Sequence, residues 1–322
     1  MIGSGAIGKR HCENIKKLFP KAQVNKCASR QFASEEKTDY LRVASEDSNK
    51  CIAQIVDFAV VASPATKHKE HVSYLVERGI PVLVEKPLTA SPEDAAFLKV
   101  LGETSSVPIG VGYCIRHLES AKALQDLMRS KEIGAIRNVM VEVGQYLPSW
   151  RPGTDYKTTV SAQASLGGGV LLELSHELDY LRWLFGPIEI VDGALRSTNE
   201  LGLDVEDCAN LLLRSSSGAV IYVQMDFLQR KPTRRCRLLG EKGVIEWDLR
   251  ANQIAIQRYE TQSEELLEFG RDVNGMYLTM LREFLAMVRG EPNRTVTVSE
   301  AAEVVKFIDD IKARCSPVEK CP

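Results

Sequence analysis

Three glycines near the start of the chain have a spacing that suits nucleotide binding, in the run Gly3-Ser4-Gly5-Ala6-Ile7-Gly8. Where a G-x-G-x-x-G run opens a helix, its backbone N–H groups can approach a pyrophosphate at the positive end of that helix. A flexible glycine-rich loop can have the same spacing, but the strand and helix patterns that follow favour a dinucleotide site. The candidate cofactor residues in this run are Gly3, Gly5, Ala6, Ile7 and Gly8.

The residues that distinguish NAD from NADP are expected roughly 20 positions after the glycines, where the chain reads Ala28-Ser29-Arg30. No acidic residue stands at this point of the sequence. A carboxylate would bind the 2′-hydroxyl of NAD and repel a phosphate, whereas a hydroxyl and a guanidinium suit the 2′-phosphate of NADP. Ser29 and Arg30 therefore predict NADP as the cofactor, with NAD possible, and the alternative is that Arg30 is a solvated loop charge.

A lysine follows an apolar strand pattern in Val84-Glu85-Lys86-Pro87. Open α/β sheets bind ligands at the carboxyl ends of their parallel strands, which is where this lysine would stand. Lys86 could donate a proton or a hydrogen bond to a substrate oxygen, and Glu85 could orient it or tune it. The alternative is a surface Lys-Glu pair with Pro87 ending the strand.

Glu173, His176 and Asp179 are spaced three apart within Leu171–Phe185, which has the pattern of a helix. This spacing puts the three side chains on roughly one face. His176 could take a proton from a hydroxyl as hydride leaves, with a carboxylate fixing its tautomer. A structural polar cluster would have the same pattern. A di-iron site would need a second Glu-x-x-His motif, which the sequence lacks, so no metal is predicted.

The elements that must position the glycines and Lys86 alternate between helix and strand. The pattern predicts a helix at Lys9–Leu18 and strands at Val24–Ala28, Phe58–Ala62, Val82–Val84 and Ile109–Tyr113. Strands separated by helices imply a parallel sheet with right-handed crossovers. With 322 residues the chain has room for two domains, and we place the first, an NAD(P)-binding Rossmann domain with a doubly wound sheet, at residues 1–115.

Beyond residue 115 the pattern changes to strands joined by turns. The predicted strands are Ile136–Val143, Ile188–Leu195, Ala209–Leu213, Ala219–Met225, Arg235–Leu239 and Val244–Trp247. The predicted helices are Leu118–Lys131, Met276–Arg289 and Ser299–Ala313, with Ser299 as the N-cap of the last. We therefore predict an α/β plus α+β chain whose residues 116–322 form a largely antiparallel open sheet flanked by helices. An open sheet with one uncovered face commonly pairs with another subunit, so we expect a homodimer or homotetramer.

The composition excludes several kinds of partner. Lys and Arg number 41 against 43 Asp and Glu, a formal charge of −2 that argues against nucleic acid. Apolar stretches fall short of the roughly 18 residues of a membrane span, so no membrane association is expected. Eight cysteines without a C-x-x-C pair argue against a zinc ribbon or a disulfide framework. Because the glycine run begins at Gly3, we expect no secretory leader and a cytoplasmic protein.

Taken in order, these segments resemble the glucose-fructose oxidoreductase and inositol dehydrogenase family (Gfo/Idh/MocA). The matching segments are the nucleotide loop at Gly3–His11, the fourth-strand loop at Val60–His68, the signature Glu85-Lys86-Pro87 and the catalytic helix at Gly167–Asp179. The resemblance implies that Lys86 and His176 are the acid-base pair on either side of the carbon that exchanges hydride with the nicotinamide.

The same resemblance places further residues at the site. It implies cofactor contacts near the nicotinamide ribose from Ser63, Pro64, Thr66 and His68, and substrate or nicotinamide contacts from Tyr113, Arg116 and Asp179. His68 could instead be a polar residue of a helix start, and Arg116 a salt-bridge partner. The chain departs from the family at two points: Glu173 stands three residues before His176, where the family has Asp four before, and only Met1 and Ile2 precede the glycines, where the family has a full strand.

The segment Gln145–Tyr156 resembles family members of bacterial surface-sugar pathways. Trp150 and Tyr156 offer ring faces on which a sugar could stack, and Arg151 could pair with a phosphate or carboxylate. An ordered crossover loop or a dimer contact would explain the segment equally well.

These observations predict an NAD(P)-dependent oxidoreductase that interconverts a hydroxyl and a ketone on a sugar, nucleotide sugar or cyclitol. One alternative is an NAD-dependent glycosidase that retains its cofactor. Another is a nucleotide-binding sensor or scaffold without chemistry, and the presence of both Lys86 and His176 argues against it.

Overall fold

The structure is a computed structural model that describes residues 1–29, 42–43, 52–53, 56–270 and 272–315. The chain divides into two units: the first comprises Met1–Gly112 and Tyr277–Val305, and the second comprises Tyr113–Met276 and the chain from Lys306 onward. The sequence places one boundary near residue 115, and the structure places it after Gly112. Tyr277–Val305, which the sequence pattern grouped with the second domain, belongs to the first unit.

The described residues contain helices and strands that we number in chain order. The helices are α1 Ala6–Leu18, α2 His68–Val76, α3 Pro92–Thr104, α4 Glu119–Arg129, α5 Val170–Glu173, α6 His176–Phe185, α7 Gly275–Val288 and α8 Val298–Arg314. The strands are β1 Arg42–Val43, β2 Ile52–Ala53, β3 Ala59–Val61, β4 Val82–Val84, β5 Ile109–Val111, β6 Ile136–Gly144, β7 Ile188–Arg196, β8 Cys208–Ser215, β9 Val220–Asp226, β10 Thr233–Gly240, β11 Gly243–Asp248, β12 Gln253–Arg258, β13 Glu264–Glu268 and β14 Val296–Thr297. No helix among the described residues is both long enough and apolar enough to cross a membrane.

The sheet of the first unit is parallel, as the alternating pattern predicts. Strand β4 lies between β3 and β5 and is parallel to both, while β14 adds an antiparallel strand beside β5. Every residue of β3, β4 and β5 is buried, which is why these strands consist of short apolar runs rather than alternating ones. The carboxyl end of β3 leads into Ser63 and that of β4 into Glu85, so both candidate loops leave the same edge of the sheet.

The start of the chain contributes a short pairing to this sheet. Ile2 forms parallel bridges with Cys27 on one side and Val61 on the other. The predicted strand Val24–Ala28 is wrong over most of its length, because within the described residues Cys27 alone forms a bridge. Cys27 accepts a hydrogen bond from the Gly3 N–H and donates its own N–H to the Met1 oxygen, and one bridged residue does not make a ladder.

The second unit contains a sheet in the order β13-β12-β11-β10-β6-β9-β8-β7 over the described residues. All neighbouring strands are antiparallel except β6 and β9, which run parallel. The largely antiparallel sheet is therefore as predicted, although the sequence pattern did not indicate β12 or β13.

One face of this sheet is covered by helices and the other is exposed. On the covered face Trp247 is fully buried, donates its indole N–H to Ser120 of α4 at 2.8 Å, and packs edge-on against Tyr180 of α6. On the other face Met140 and Tyr222 are about half exposed (54% and 50%). This alternation of buried and exposed positions follows from the two-residue period of a strand.

The start of α8 corrects the predicted N-cap. The helix begins at Val298, and the cap is Thr297 rather than Ser299. The Thr297 hydroxyl accepts from the Glu300 N–H at 3.2 Å, and the Glu300 carboxylate accepts from the Thr297 N–H at 3.0 Å. This reciprocal capping box satisfies two backbone donors, and Ser299 has no carboxylate three residues later to form one.

Candidate functional site

The glycine run forms a tight turn at the start of α1. Gly3 has φ +107°, and a Cβ there would lie 2.3 Å from the carbonyl oxygen of Ala62. A Cβ on Gly8 would lie 2.6 Å from the oxygen of Gly3, so both positions require glycine for close backbone packing. At Gly5, in contrast, a Cβ would meet open space within the described structure.

This geometry fits a dinucleotide's pyrophosphate. Helix α1 begins at Ala6 with Gly5 as N-cap, no side chain of the described residues caps it, and its first turn has no acidic residue. The amides of that turn have no capping side chain among the described residues and stand at the positive end of a helix of 13 residues. Of the two residues expected to select NADP, Ser29 is described and Arg30 lies outside the described residues.

The loop after β3 is held by two histidines. His68 is buried, with Nε2 2.9 Å from the Ser63 oxygen and Nδ1 3.1 Å from the oxygens of both Pro87 and Leu88. His71 places Nδ1 2.8 Å from the Ser63 hydroxyl. Burial lowers the pKa of His68, although its contacts with backbone carbonyls oppose that effect. His68 thus connects the loop after β3 to the loop after β4 and acts as a positioning residue. Its expected contact with the nicotinamide ribose stays a prediction.

The loop after β4 carries Glu85 and Lys86. The Glu85 carboxylate is buried, with Oε1 2.6 Å from Nε2 of His11 and Oε2 accepting from the Lys86 backbone N–H at 3.2 Å. Lys86 itself is half-buried at the carboxyl end of the strand. The alternative of a surface Lys-Glu pair is wrong for Glu85, which lies inside the unit. Sequence reasoning missed His11 as its partner, since the two residues are 74 positions apart.

In the second unit, a triple-glycine turn precedes α5. Gly169 has φ +104°, and a Cβ there would lie 2.5 Å from Oε1 of Glu206, while a Cβ on Gly168 would lie 2.5 Å from the oxygen of Val160. Glu206 accepts from the Leu171 N–H at 3.3 Å and lies 3.6 Å from the Lys312 ammonium. Its carboxylate therefore occupies the positive end of α5. No local pattern indicates Glu206, which is 35 residues from Leu171 along the chain.

The predicted single helix Leu171–Phe185 is wrong, because it is two helices. α5 ends at Glu173 and α6 begins at His176. At the break, the N–H groups of Ser175 and Glu177 bond to carbonyls three residues back instead of four, which tightens the turn. The expectation that Glu173 and His176 share one helix face assumed a continuous helix, so the three-residue spacing does not support it. A catalytic role for Glu173 stays a prediction.

The start of α6 is fixed to the sheet by an ion pair between a buried carboxylate and a partly exposed arginine. Glu177 is fully buried, and its two oxygens accept from Nε and Nη2 of Arg234 at 2.7 and 2.9 Å. Arg234 lies on β10 opposite Val143 near the end of β6. His176 is therefore held at the end of the sheet where β6 and its parallel neighbour β9 both end.

Tyr113 packs against His176, and Arg116 pairs with Asp179, which lies three residues further along α6. The Tyr113 ring packs edge-on against the His176 ring with centroids 5.6 Å apart, and its hydroxyl lies 3.5 Å from the Ser175 hydroxyl. Burial, together with the charge of Asp179, raises the pKa of Tyr113. Arg116 and Asp179 form a buried bidentate pair at 3.0 and 2.7 Å. Arg116 is thus a salt-bridge partner as the sequence allowed, and substrate contact by these residues stays a prediction.

The candidate sugar loop follows β6 at the same end of the sheet. Trp150 donates its indole N–H to the Gln145 oxygen at 3.0 Å and packs edge-on against Phe227, which directly follows β9. Tyr156 donates its hydroxyl to the Leu201 oxygen at 2.9 Å, while Arg151 is exposed. The loop is therefore held by one contact within itself and by contacts with the segments that follow β7 and β9.

Arg230 adds a positive charge at the end of β6 and β9, and sequence reasoning missed this residue. Its guanidinium lies 3.4 Å from the centroid of the Tyr146 ring. Gly144 and Asp226 are register partners at the ends of β6 and β9, which is why the segments after them meet. The only sequence signal was the run of basic residues at Arg230-Lys231.

Comparison with known proteins identifies the family. Residues 1–113 match an oxidoreductase family with an NAD-binding Rossmann fold, and residues 121–246 match the GFO/IDH/MocA C-terminal domain. A myo-inositol dehydrogenase of Streptomyces leeuwenhoekii is 30% identical over 76% of this chain and 75% of its own length. The chain belongs to the Gfo/Idh/MocA family. The family resemblance and the two-domain fold class inferred from the sequence are thereby confirmed.

Two further proteins are similar to this chain over different lengths. A dTDP-3,4-didehydro-2,6-dideoxy-alpha-D-glucose 3-reductase of Saccharopolyspora spinosa is 29% identical over 59% of this chain, and the match spans only 55% of that relative. The crystal structure of a 3-ketoreductase variant from Actinomadura kijaniata, in complex with TDP-benzene and NADP, covers 100% of this chain and 98% of its own with a TM-score of 0.77. At 18% identity that structure shows the shared fold.

Proposed function

We propose that this protein is an NAD(P)-dependent oxidoreductase that transfers a hydride between a nicotinamide cofactor and a hydroxyl or ketone carbon of a sugar, nucleotide sugar or cyclitol. The observation that carries the proposal is the edge of the first unit's sheet, where Lys86 follows β4 and the open helix start at Gly5 follows Ile2. Relatives named as an inositol dehydrogenase and a nucleotide-sugar reductase support this substrate range.

Two side chains would handle the proton. When bound, the nicotinamide would accept the hydride from the alcohol carbon or return it to the ketone. In the oxidation direction, His176 would take the hydroxyl proton while Lys86 donates a hydrogen bond to the same oxygen, which becomes the ketone oxygen. The reverse direction returns the proton from His176. Tyr113, packed on the imidazole, and Glu177, which anchors α6, would keep His176 in position.

For the cofactor, the finer proposal is a preference for NADP. It is supported by Ser29 and Arg30 and by the lack of a carboxylate in that segment. A 2′-phosphate binds a guanidinium through charge-assisted hydrogen bonds.

For the substrate, the finer proposal is a sugar whose ring lies at the end of β6 and β9. Trp150 and Tyr156 supply aromatic surface there, and Arg151 and Arg230 supply positive charge for a phosphate or carboxylate of the substrate. A nucleotide sugar has both the ring and the phosphates.

The test is a screen of sugars, nucleotide sugars and cyclitols, read as the change in NADPH absorbance. Once a substrate is found, His176→Ala and Lys86→Met should each slow single-turnover hydride transfer about 10²- to 10⁴-fold, the usual contribution of a general acid or base. Nucleotide affinity should survive in both variants. Lys122→Met, on α4, is the matched control. If both variants transfer hydride at the parent rate with nucleotide bound, the proposed pair is wrong.

A further inference from the structure

His11 and Glu85 form a buried pair inside the first unit. His11 is 1% exposed and Glu85 8%, and the His11 Nε2 lies 2.6 Å from the Glu85 Oε1. A carboxylate only accepts hydrogen bonds, so Nε2 carries the hydrogen and donates it. A carboxylate buried to this degree is costly unless donors satisfy it, so the loss of His11 would leave Oε1 without this donor.

The two partners belong to the two segments that matter most in the unit. His11 is on α1, the helix that begins directly after Gly5 of the glycine run. Glu85 directly precedes Lys86 and binds its backbone N–H through Oε2. One carboxylate therefore joins the helix proposed to hold the pyrophosphate to the residue proposed to hold the substrate oxygen.

Neither partner has much room to move independently. A Cβ on Gly112 would lie 3.1 Å from the Glu85 Cδ, so the backbone of β5's end closes that side of the carboxylate. Tyr277 packs edge-on against the imidazole, with ring centroids 6.2 Å apart at 82°. Because interiors this closely packed transmit displacements, a shift of α1 is passed to Glu85 and from there to the Lys86 amide.

We propose that His11 is a positioning residue that couples occupation of the nucleotide loop to the placement of Lys86. The inference rests on the proposed function, since it takes α1 as the nucleotide helix. Coupling of this kind acts in both directions: nucleotide binding places Lys86, and loosening Glu85 weakens nucleotide binding. His11 would thus affect both steps without touching nucleotide or substrate.

The test compares a disruptive and a conservative change. His11→Leu removes the donor, whereas His11→Gln keeps an N–H near the former Nε2 position. Ile15→Ala, a buried change on the same helix, is the matched control for loss of packing alone. If His11→Leu does not fold, His11→Asn replaces it, because its amide is too short to reach Glu85.

The first readout is the reactivity of Lys86, measured as its rate of acetylation by acetic anhydride with mass spectrometry. The probe is ADP-ribose, which has the pyrophosphate but no nicotinamide ring that could cover the lysine. In the parent, saturating ADP-ribose should change the acetylation rate on the order of five-fold or more, the lower end of typical couplings. The change should vanish in His11→Leu and persist in His11→Gln and Ile15→Ala.

The second readout is the ADP-ribose dissociation constant, which should rise in His11→Leu and recover in His11→Gln. An undiminished change in Lys86 reactivity in His11→Leu would overturn the coupling, and so would an equal loss in Ile15→Ala. Neither readout needs a sugar substrate, so the coupling can be tested even if no substrate is turned over. If ADP-ribose and NADPH both fail to bind the parent, the proposed function and the coupling fall together.

Discussion

Arg30 supplies the positive charge in the proposed preference for NADP. If its guanidinium pairs with the 2′-phosphate, Arg30→Ala should weaken NADPH binding by about 1.5 to 3 kcal/mol, the range for a hydrogen bond to a charged group. NADH has no phosphate at that position, so its affinity should stay the same. Calorimetric titration of both nucleotides measures the difference. Lys26→Ala, an exposed change nearby, is the control, and an equal loss for NADH and NADPH would contradict the assignment.

Residue type and spacing identified the candidate site only where function depends on a local motif. Lys86 and His176 each stand within a recognisable segment, whereas His11 and Arg234 act through partners that are 74 and 57 positions away. Such pairs depend on how strands are ordered in the sheet, which no local pattern encodes. Glu206 was missed for the same reason, since it caps a helix that begins far from it along the chain.

Helix α6 depends on the Glu177–Arg234 pair for its attachment to the sheet. Arg234→Met would leave the fully buried Glu177 carboxylate unpaired, which typically costs about 3 to 5 kcal/mol. Arg235→Met is a matched control on the adjacent residue, because Arg235 pairs with Glu142 at the surface, where such pairs contribute about 1 kcal/mol or less. Urea unfolding measures both variants. Equal destabilisation would mean that the Glu177–Arg234 pair does not anchor the helix.

The loop after β3 should be sensitive to acid through His68. Burial lowers the pKa of this imidazole in the folded chain, whereas the pKa of an unfolded histidine is about 6.5. His68 therefore contributes stability above about pH 6.5, and this contribution is lost as the pH falls below that value. Urea unfolding at pH 7.5 and 5.5 should show a larger loss for the parent than for His68→Gln. The same loss in both proteins would rule out His68 as the cause.

Elements with strong hydrophobic patterns were predicted well, and elements that depend on tertiary context were not. Strand β4 has the predicted bounds because its whole apolar run is buried. Strand β13, at the sheet's edge, is mostly polar and exposed, so it has no alternating pattern to find. The break between α5 and α6 escaped prediction because Leu174 and Ser175 are compatible with a helix, and only the hydrogen bonds reveal the tighter turn.

The exposed face of the second unit's sheet predicts that the protein self-associates. Met140 and Tyr222 are about half exposed on the middle strands β6 and β9, where a second copy could cover them. Tyr222→Glu should therefore shift the protein from a dimer or tetramer to a smaller species in light scattering. Val100→Glu, an equally exposed apolar position on α3, should leave the size unchanged. A monomeric parent would contradict the prediction.

The two fold types could be read from the sequence, but the composition of the units could not. Alternating helix and strand patterns indicated the parallel sheet, and closely spaced strands indicated the antiparallel one. No local sequence pattern indicates that Tyr277–Val305 belongs to the first unit, because the patterns of α7 and β14 would be the same in either unit.

This return sets an order of events during synthesis. Gly110 and Val111 of β5 pair with Thr297 and Val296 of β14, which are synthesised about 185 residues later. At about 5 to 20 residues per second, this delay is on the order of 10 to 40 s. Throughout that interval the nascent first unit has an open strand edge of the kind that pairs with other chains. The ribosome therefore finishes most of the second unit before the first can close, and the nucleotide-binding unit, although it begins first, is completed late.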